Sequence, residues 1–377
     1  MKKISYLILI FFTSILFFYF LAFFYFYISA NKELKNNFFS DTEKLNFYKK
    51  HSEIVNHVRL TTISDDTKAT ENINLNEMLF TVINKSDAGS TILFQGDSWI
   101  QQITDVNDNS NYLKNNLGPN YTILGAGISS YSPSLMSIQF KLLEENFKIK
   151  PDFLVTYIDQ TDIGDEACRY KNLKKYDLNG NLKAVTYEKY PLFVDPFNID
   201  KIIKFSEIDL SNTTKIYKVQ KYMNYKIMKS LNRIIKMTKY KINKVVISND
   251  CGWSQIEKNL ISGDVNDINY FKKSVTEYFT RISKSNNLKK IYVVTHPQYK
   301  HLTGEYQTNV SDIIDQISIK FPKVNHINFT KMIKNNNNFY PDKEFIWGDD
   351  NIHLKNEFLR EKFIKNIVKY FIATSKE

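Results

Sequence analysis

The stretch TILFQGDSWIQQ (residues 91–102) begins apolar and partly β-branched, then breaks into a glycine, an acid, a hydroxyl and a tryptophan. Its first five residues have the composition of a buried strand, and Gly96 permits a sharp turn. A helix beginning just after the turn leaves Ser98 at the strand tip beside a helix N-terminus, where free N–H groups can stabilise an oxyanion. Asp97 either hydrogen-bonds the turn or takes part in a site; its position alone does not decide between them.

The same pattern recurs along the chain. YTILGAG (121–127), FLVTYI (153–158), KIYVVTH (290–296) and VNHINF (324–329) are short apolar runs of the kind that fill buried parallel strands. Helical stretches lie between them, such as SPSLMSIQFKLLEENF (132–147), with Pro133 suited to a first helical turn. Strands alternating with helices predict a three-layer α/β/α, flavodoxin-like domain around a five-stranded parallel sheet. The interval from Arg169 to about Asn286 is too long for one crossover and reads as a helical insertion, about 170–285. Its centre, from Lys215 to Lys244, carries ten basic residues and no acid, on an apolar repeat of three to four residues. That pattern is an amphipathic helix whose basic face is either solvated or turned to lipid head groups or an anionic glycan.

Residues 4–28 contain no charge and follow Lys2 and Lys3. The run exceeds the ~20 residues a transmembrane helix needs and the apolar core of a cleaved signal peptide. It reads as an uncleaved signal anchor over residues 1–30, with a stalk and packing segment at 31–88 and the main domain at 89–377. Lysines flank both sides, but the short charged n-region places the amino terminus inside and the domain outside, in the periplasm. Hydrophobic residues make up 43% of the 377 and charged residues 24%, which argues against disorder and against a multi-span protein. A net charge of +11 favours anionic partners, yet no zinc-finger, RNP-like or basic-zipper pattern points to nucleic acid. The two cysteines, Cys168 and Cys251, suit either a bridge or two buried thiols.

A nucleophilic serine needs a base, and a histidine base needs an orienting acid. Of six histidines, His353 lies in WGDDNIHL (347–354), three residues after Asp350. Such a loop lets one carboxylate bond the imidazole Nδ1 while Nε2 faces a serine; an isolated Asp-x-x-His spacing carries little weight. Gly127 ends the second strand without a side chain to obstruct its N–H, and Asp159, Gln160, Thr161 and Asp162 end the third. His296 and His301 follow the fourth strand, where they can line a pocket, and His326 alternates with apolar neighbours as a structural residue. No histidine–carboxylate group has metal-ligand spacing, and neither Gly-x-Ser-x-Gly nor a glycine-rich phosphate loop occurs, so no cofactor is implied.

With these residues in order, the chain resembles the SGNH (GDSL-like) hydrolase superfamily from about residue 91 to 370, the insertion unmatched. Gly96-Asp97-Ser98 corresponds to its first block, Gly127 to its second and Asp350 to His353 to its last. The resemblance implies Ser98 as nucleophile and oxyanion donor, His353 as general base, Asp350 as its orienting acid and Gly127 as a second donor. Asp97, Asp159, Asp162 and His296 are candidates for the pocket. The third block departs from the family, with Thr161 where an oxyanion-binding asparagine is expected, so the resemblance makes the Thr161 hydroxyl a candidate third oxyanion donor. The segment YIDQTDIGDE (157–166) is similar to that of members associated with bacterial cell-surface polysaccharides. The expected function is a membrane-anchored esterase removing O-acetyl groups from a surface glycan. Two alternatives stand beside it: an O-acetyltransferase served by a membrane acyl-donor protein, and a non-catalytic glycan-binding protein of degenerate hydrolase fold.

Overall fold

Strand β2 (Ser90–Gly96) is interior to a six-stranded sheet, flanked on both sides by parallel neighbours. β3 (Tyr121–Gly127) pairs with it on one side and β4 (Phe153–Tyr157) on the other, followed outward by β7 (Lys290–Thr295) and β8 (Val324–Asn328). These are the five parallel strands expected from sequence, in the flavodoxin-like order with its switch point between β2 and β4. A sixth strand, β1 (Thr81–Asn84), adds antiparallel to β3 at the edge. It takes in the end of the short apolar stretch EMLFTVI (77–83), within the segment expected to pack on the main domain. The computed structural model describes residues 2–33, 80–87, 89–185, 223, 253–335, 347 and 352–375.

Alternation along the strands supplies two cores. Ile92 and Phe94 of β2 face α2 (Ser98–Asp105), α3 (Asn107–Leu117) and the C-terminal helix (Lys365–Thr374), among Ile100, Leu113, Phe363 and Phe371. Gln95 faces the other way, towards α4 (Pro133–Glu145), where its amide donates to Met136 O at 3.0 Å and to Gln139 Oε1 at 2.7 Å. Pro133 opens α4 where its missing N–H costs no intrahelical bond.

The expected insertion is not helical throughout. It opens with a hairpin, β5 (Lys174–Tyr176) and β6 (Leu182–Val185), whose turn places Gly180 at φ 77° and bonds Asp177 Oδ1 to the Asn179 and Asn181 N–H groups. It closes with α5 (Trp253–Ser262) and the 19-residue α6 (Val265–Ser283), capped by Asp264. α6 packs on α4 and sends the Tyr278 hydroxyl to Gln95 Oε1 at 2.7 Å, so it belongs to the helical layer of the sheet and not to an appendage. The basic stretch 215–244 lies outside the described residues apart from Met223.

Cys168 is held in a disulfide; Cys251, the other cysteine, lies outside the described residues. A separate compact unit contains α1 (Lys2–Glu33), a helix over the residues for which a membrane anchor was expected. Side chains are described there for Tyr6 and residues 9–25. Among the described residues no helix is long and apolar enough to cross a membrane.

Candidate active site

Ser98 is the first residue of α2, immediately beyond the carboxyl end of β2. Asp97 caps that helix by accepting the Trp99 N–H at 2.9 Å, and its carbonyl accepts from Gln101 at 3.0 Å. At the first helical position the Ser98 N–H has no acceptor within the helix. Its hydroxyl lies 2.8 Å from His353 Nε2, and both residues are half-buried, open enough for a reactant and screened enough for a directed hydrogen bond. Two residues the sequence placed 255 positions apart are therefore in contact. Asp350, the expected orienting acid, lies outside the described residues.

Gly127 ends β3 in register with Gly96. A Cβ on it would fall 2.2 Å from the Gln101 nitrogen and 2.5 Å from the Ile100 carbonyl carbon. Only glycine lets β3 approach the first turn of α2 this closely, which brings the Gly127 backbone beside the turn that carries Ser98.

The third block differs from the expectation that Thr161 offers its hydroxyl to an oxyanion. Thr161 Oγ1 donates to Asp159 Oδ2, and the Thr161 N–H donates to the same oxygen at 3.1 Å. Both donors are already directed to a carboxylate. Asp159 N–H in turn donates to Asp162 Oδ2 at 3.1 Å, and Gln298 Nε2 reaches Asp159 Oδ2 at 3.4 Å. The segment folds into a self-bonded turn leading to the helical stretches Asp162–Gly164 and Asp165–Tyr170.

Asp97, Asp159 and Asp162, expected in the pocket, are all buried, as is the neighbouring Asp165, so none of them offers a surface open to solvent. Burial, then the charge of Asp159, pushes Asp97 well above the usual carboxylate range despite its bond from Trp99. Burial followed by Asp97 and Asp159 raises Asp162 in the same way. Asp165 is pushed up to about 7, chiefly by burial, with Arg169 opposing and Asp159 and Glu166 assisting. Burial and mutual repulsion thus favour the protonated forms within the group. Glu166 behaves oppositely: burial disfavours its charge, but Lys174, Ser132 and Ser134 outweigh it and hold the carboxyl low. That pair pins the third block to the start of α4 and to β5.

His296 too departs from the expected pocket position. It is fully buried against Trp99, Phe329 and Trp347, with burial lowering its pKa to about 3, so it is a neutral packing residue. His301 packs on Tyr306, and its Nε2 lies 2.9 Å from the Thr308 carbonyl. His326 sits between Asp315 at 2.6 Å and Thr295 at 2.8 Å, the structural place expected of it.

Trp99 was not singled out by sequence, although it follows the serine directly. Its buried ring stacks on Tyr157 at 5.0 Å and lies 5.8 Å from the His353 ring, giving the imidazole an aromatic wall. Gln102 and Asn356 escaped notice too, because amides at such spacing carry no pattern. Two clefts among the described residues lie elsewhere: about 610 Å³ between the β5–β6 hairpin, α4 and α6, and about 400 Å³ beside Cys168. Neither includes Ser98 or His353.

No protein-family model and no curated protein matches the chain. Among solved structures it is similar to a gut microbial diltiazem-metabolizing enzyme, at 10% identity and TM-score 0.35, covering 78% of this chain and 48% of that one. It is similar also to an alpha/beta hydrolase enzyme from the metagenome of Lake Arreo, Spain, at 10% identity and TM-score 0.37, covering 77% and 96%. A third is an acetyl xylan esterase from the rumen bacterium Butyrivibrio proteoclasticus, at 8% identity and TM-score 0.35, covering 78% and 66%. The chain spans about half the length of the first, 48%. At such scores none of them bears on what this chain does.

Proposed function

We propose that this protein is a membrane-anchored serine esterase of the SGNH (GDSL-like) type, removing small acyl groups, O-acetyl above all, from a cell-surface glycan. The observation that carries it is the 2.8 Å contact between Ser98 Oγ and His353 Nε2 at the carboxyl end of the first parallel strand, beside the switch point.

Ser98 Oγ attacks the acyl carbonyl while its proton passes to His353 Nε2. The oxyanion is held by the backbone N–H groups of Ser98 and Gly127. His353 then gives the proton to the departing sugar oxygen, leaving the acyl group on Ser98. Water, deprotonated by His353, releases the acid and restores the serine. Asp350 orients the imidazole through Nδ1, holding Nε2 towards the serine. With Thr161 bonded to Asp159, the hole relies on backbone donors, so modest turnover is expected.

The anchor reading is supported by the apolar exposure along α1, where Phe11, Phe17, Phe18, Phe20 and Phe24 are each more than half exposed. A helix apolar on every side has no stable place in water. The charge of +11 supports an acidic surface partner.

The test compares surface-polysaccharide acetyl content in cells with and without the protein, and with Ser98→Ala. A rise on loss of the protein or of Ser98 is the expected result; a fall would assign a transferase, and no change would reject both. A periplasm-dependent reporter fused after Glu377 is expected to be active, and a silent, expressed fusion would place the domain inside.

A further inference from the structure

We infer that Gln102 and Asn356 are positioning residues that hold the His353 loop against the helix carrying Ser98. The geometry stands by itself; its consequence for turnover rests on the serine-esterase reading.

Ser98 and Gln102 are four residues apart on α2, so both lie on one face of the helix. Gln102 Nε2 donates to the carbonyl of Leu354 at 2.9 Å and to Asn356 Oδ1 at 3.0 Å. Leu354 is the residue after His353, so the bond fixes the backbone next to the base. Asn356 Oδ1 accepts a second bond, from Asn109 Nδ2 at 3.0 Å. Asn109 Nδ2 also donates to the Gln102 carbonyl at 2.9 Å, and Arg360 Nη1 donates to Asn109 Oδ1 at 3.1 Å. α2, α3, the His353 loop and the start of the C-terminal helical segment are thereby tied by five bonds among five residues.

The orientation of the Gln102 amide is set by its partners, since both are acceptors and only the NH₂ side can serve them. The consequence is a cost: among the described residues, Gln102 Oε1 is buried with no partner. An amide that orphans its own carbonyl is placed there for its two donors. Beside the clamp, an isolated bridge pairs Leu354 with Trp347, and the His353 ring lies against Trp99. The Ser98–His353 contact spans two distant segments, and the clamp adds side-chain hydrogen bonds that join them.

The clamp uses the Asn356 side chain only as an acceptor and the Gln102 side chain only as a donor, which gives it a signature that general stabilisation lacks. In the full chain, kcat and KM for p-nitrophenyl acetate are measured for Gln102→Leu, Gln102→Glu, Asn356→Leu and Asn356→Asp, with His353 ring nitrogens followed by ¹⁵N NMR. Gln102→Leu, Gln102→Glu and Asn356→Leu are expected to lower kcat by roughly 10- to 100-fold with KM nearly constant, as for a small misplacement of a base. Asn356→Asp keeps the acceptor and is expected to retain most turnover. The His353 Nε2 resonance is expected to move in the three impaired variants as it does in Ser98→Ala. Wild-type kcat and an unmoved resonance in Gln102→Leu would overturn the clamp, as would equal losses in Asn356→Asp and Asn356→Leu. Absence of Ser98-dependent turnover in the wild type would reject the esterase reading instead. The His353 resonance would then still decide the clamp: moved in Gln102→Leu supports it, unmoved overturns it.

Discussion

Ser98 Oγ and His353 Nε2 meet at 2.8 Å, one at the first position of α2 and the other in a loop 255 residues later. Neither neighbourhood produces the contact alone. β2 and its turn aim the serine at the carboxyl edge of the sheet, while the C-terminal segment returns the histidine to that edge. Trp99 fills the space behind the imidazole.

The Thr161 hydroxyl is committed to Asp159, so it is not expected to act as an oxyanion donor. Thr161→Val should leave kcat on an aryl acetate within several-fold of wild type. A working donor would cost about 10²–10³ in kcat when removed, and a loss of that size would place Thr161 in the hole after all.

Gly127→Ala puts a Cβ against the α2 backbone, which cannot rotate away as a side chain would. Destabilisation of about 1–3 kcal/mol is expected from the overpacking. Because the displaced atoms belong to the turn after Ser98, kcat should fall as well. Denaturant unfolding together with steady-state kinetics checks both; an unchanged midpoint and kcat would contradict the close approach.

Asp165 titrates at about 7 in the folded chain against about 3.9 when unfolded. Between those values the folded state holds a proton that the unfolded state has released, so this group makes stability fall as pH rises, by about 1.4 kcal/mol per pH unit. His296, lowered to about 3, has the opposite slope between about 3 and 6.5, where the unfolded state binds the extra proton. Comparing Asp165→Asn with wild type cancels the His296 contribution. The variant is expected to gain stability relative to wild type from pH 4 to 7 and to hold a constant difference above that. Parallel stability–pH curves would show that Asp165 does not retain its proton.

Much of the sheet was legible in the sequence because parallel strands are buried on both faces and read as unbroken apolar runs. YTILGAG at 121–127 coincides with β3 to the residue. β1 was not, since its four residues only close the apolar stretch EMLFTVI (77–83), too short to tell an edge strand from a packing segment. The β5–β6 hairpin was hidden for the same reason, and α6 was assigned to an insertion because chain length says nothing about where a helix packs. At the site, Ser98 and His353 were candidates by residue type and motif position, and the structure brings the two into contact. Thr161 was misjudged: its alignment position was visible, but its hydrogen-bond partner two residues earlier was not. His296 was misplaced because position at a strand end does not reveal which way a ring turns.

The most direct test is covalent: the full chain is treated with an aryl phosphonate, and the modified residue is mapped by peptide mass spectrometry. One adduct on Ser98 is expected, absent from Ser98→Ala and formed at least about 100-fold more slowly in His353→Gln, where the general base is gone. A folded wild type that takes up no adduct, or takes it up elsewhere, would contradict Ser98 as the nucleophile. Labelling of Ser98 at the same rate in His353→Gln would contradict His353 as its base.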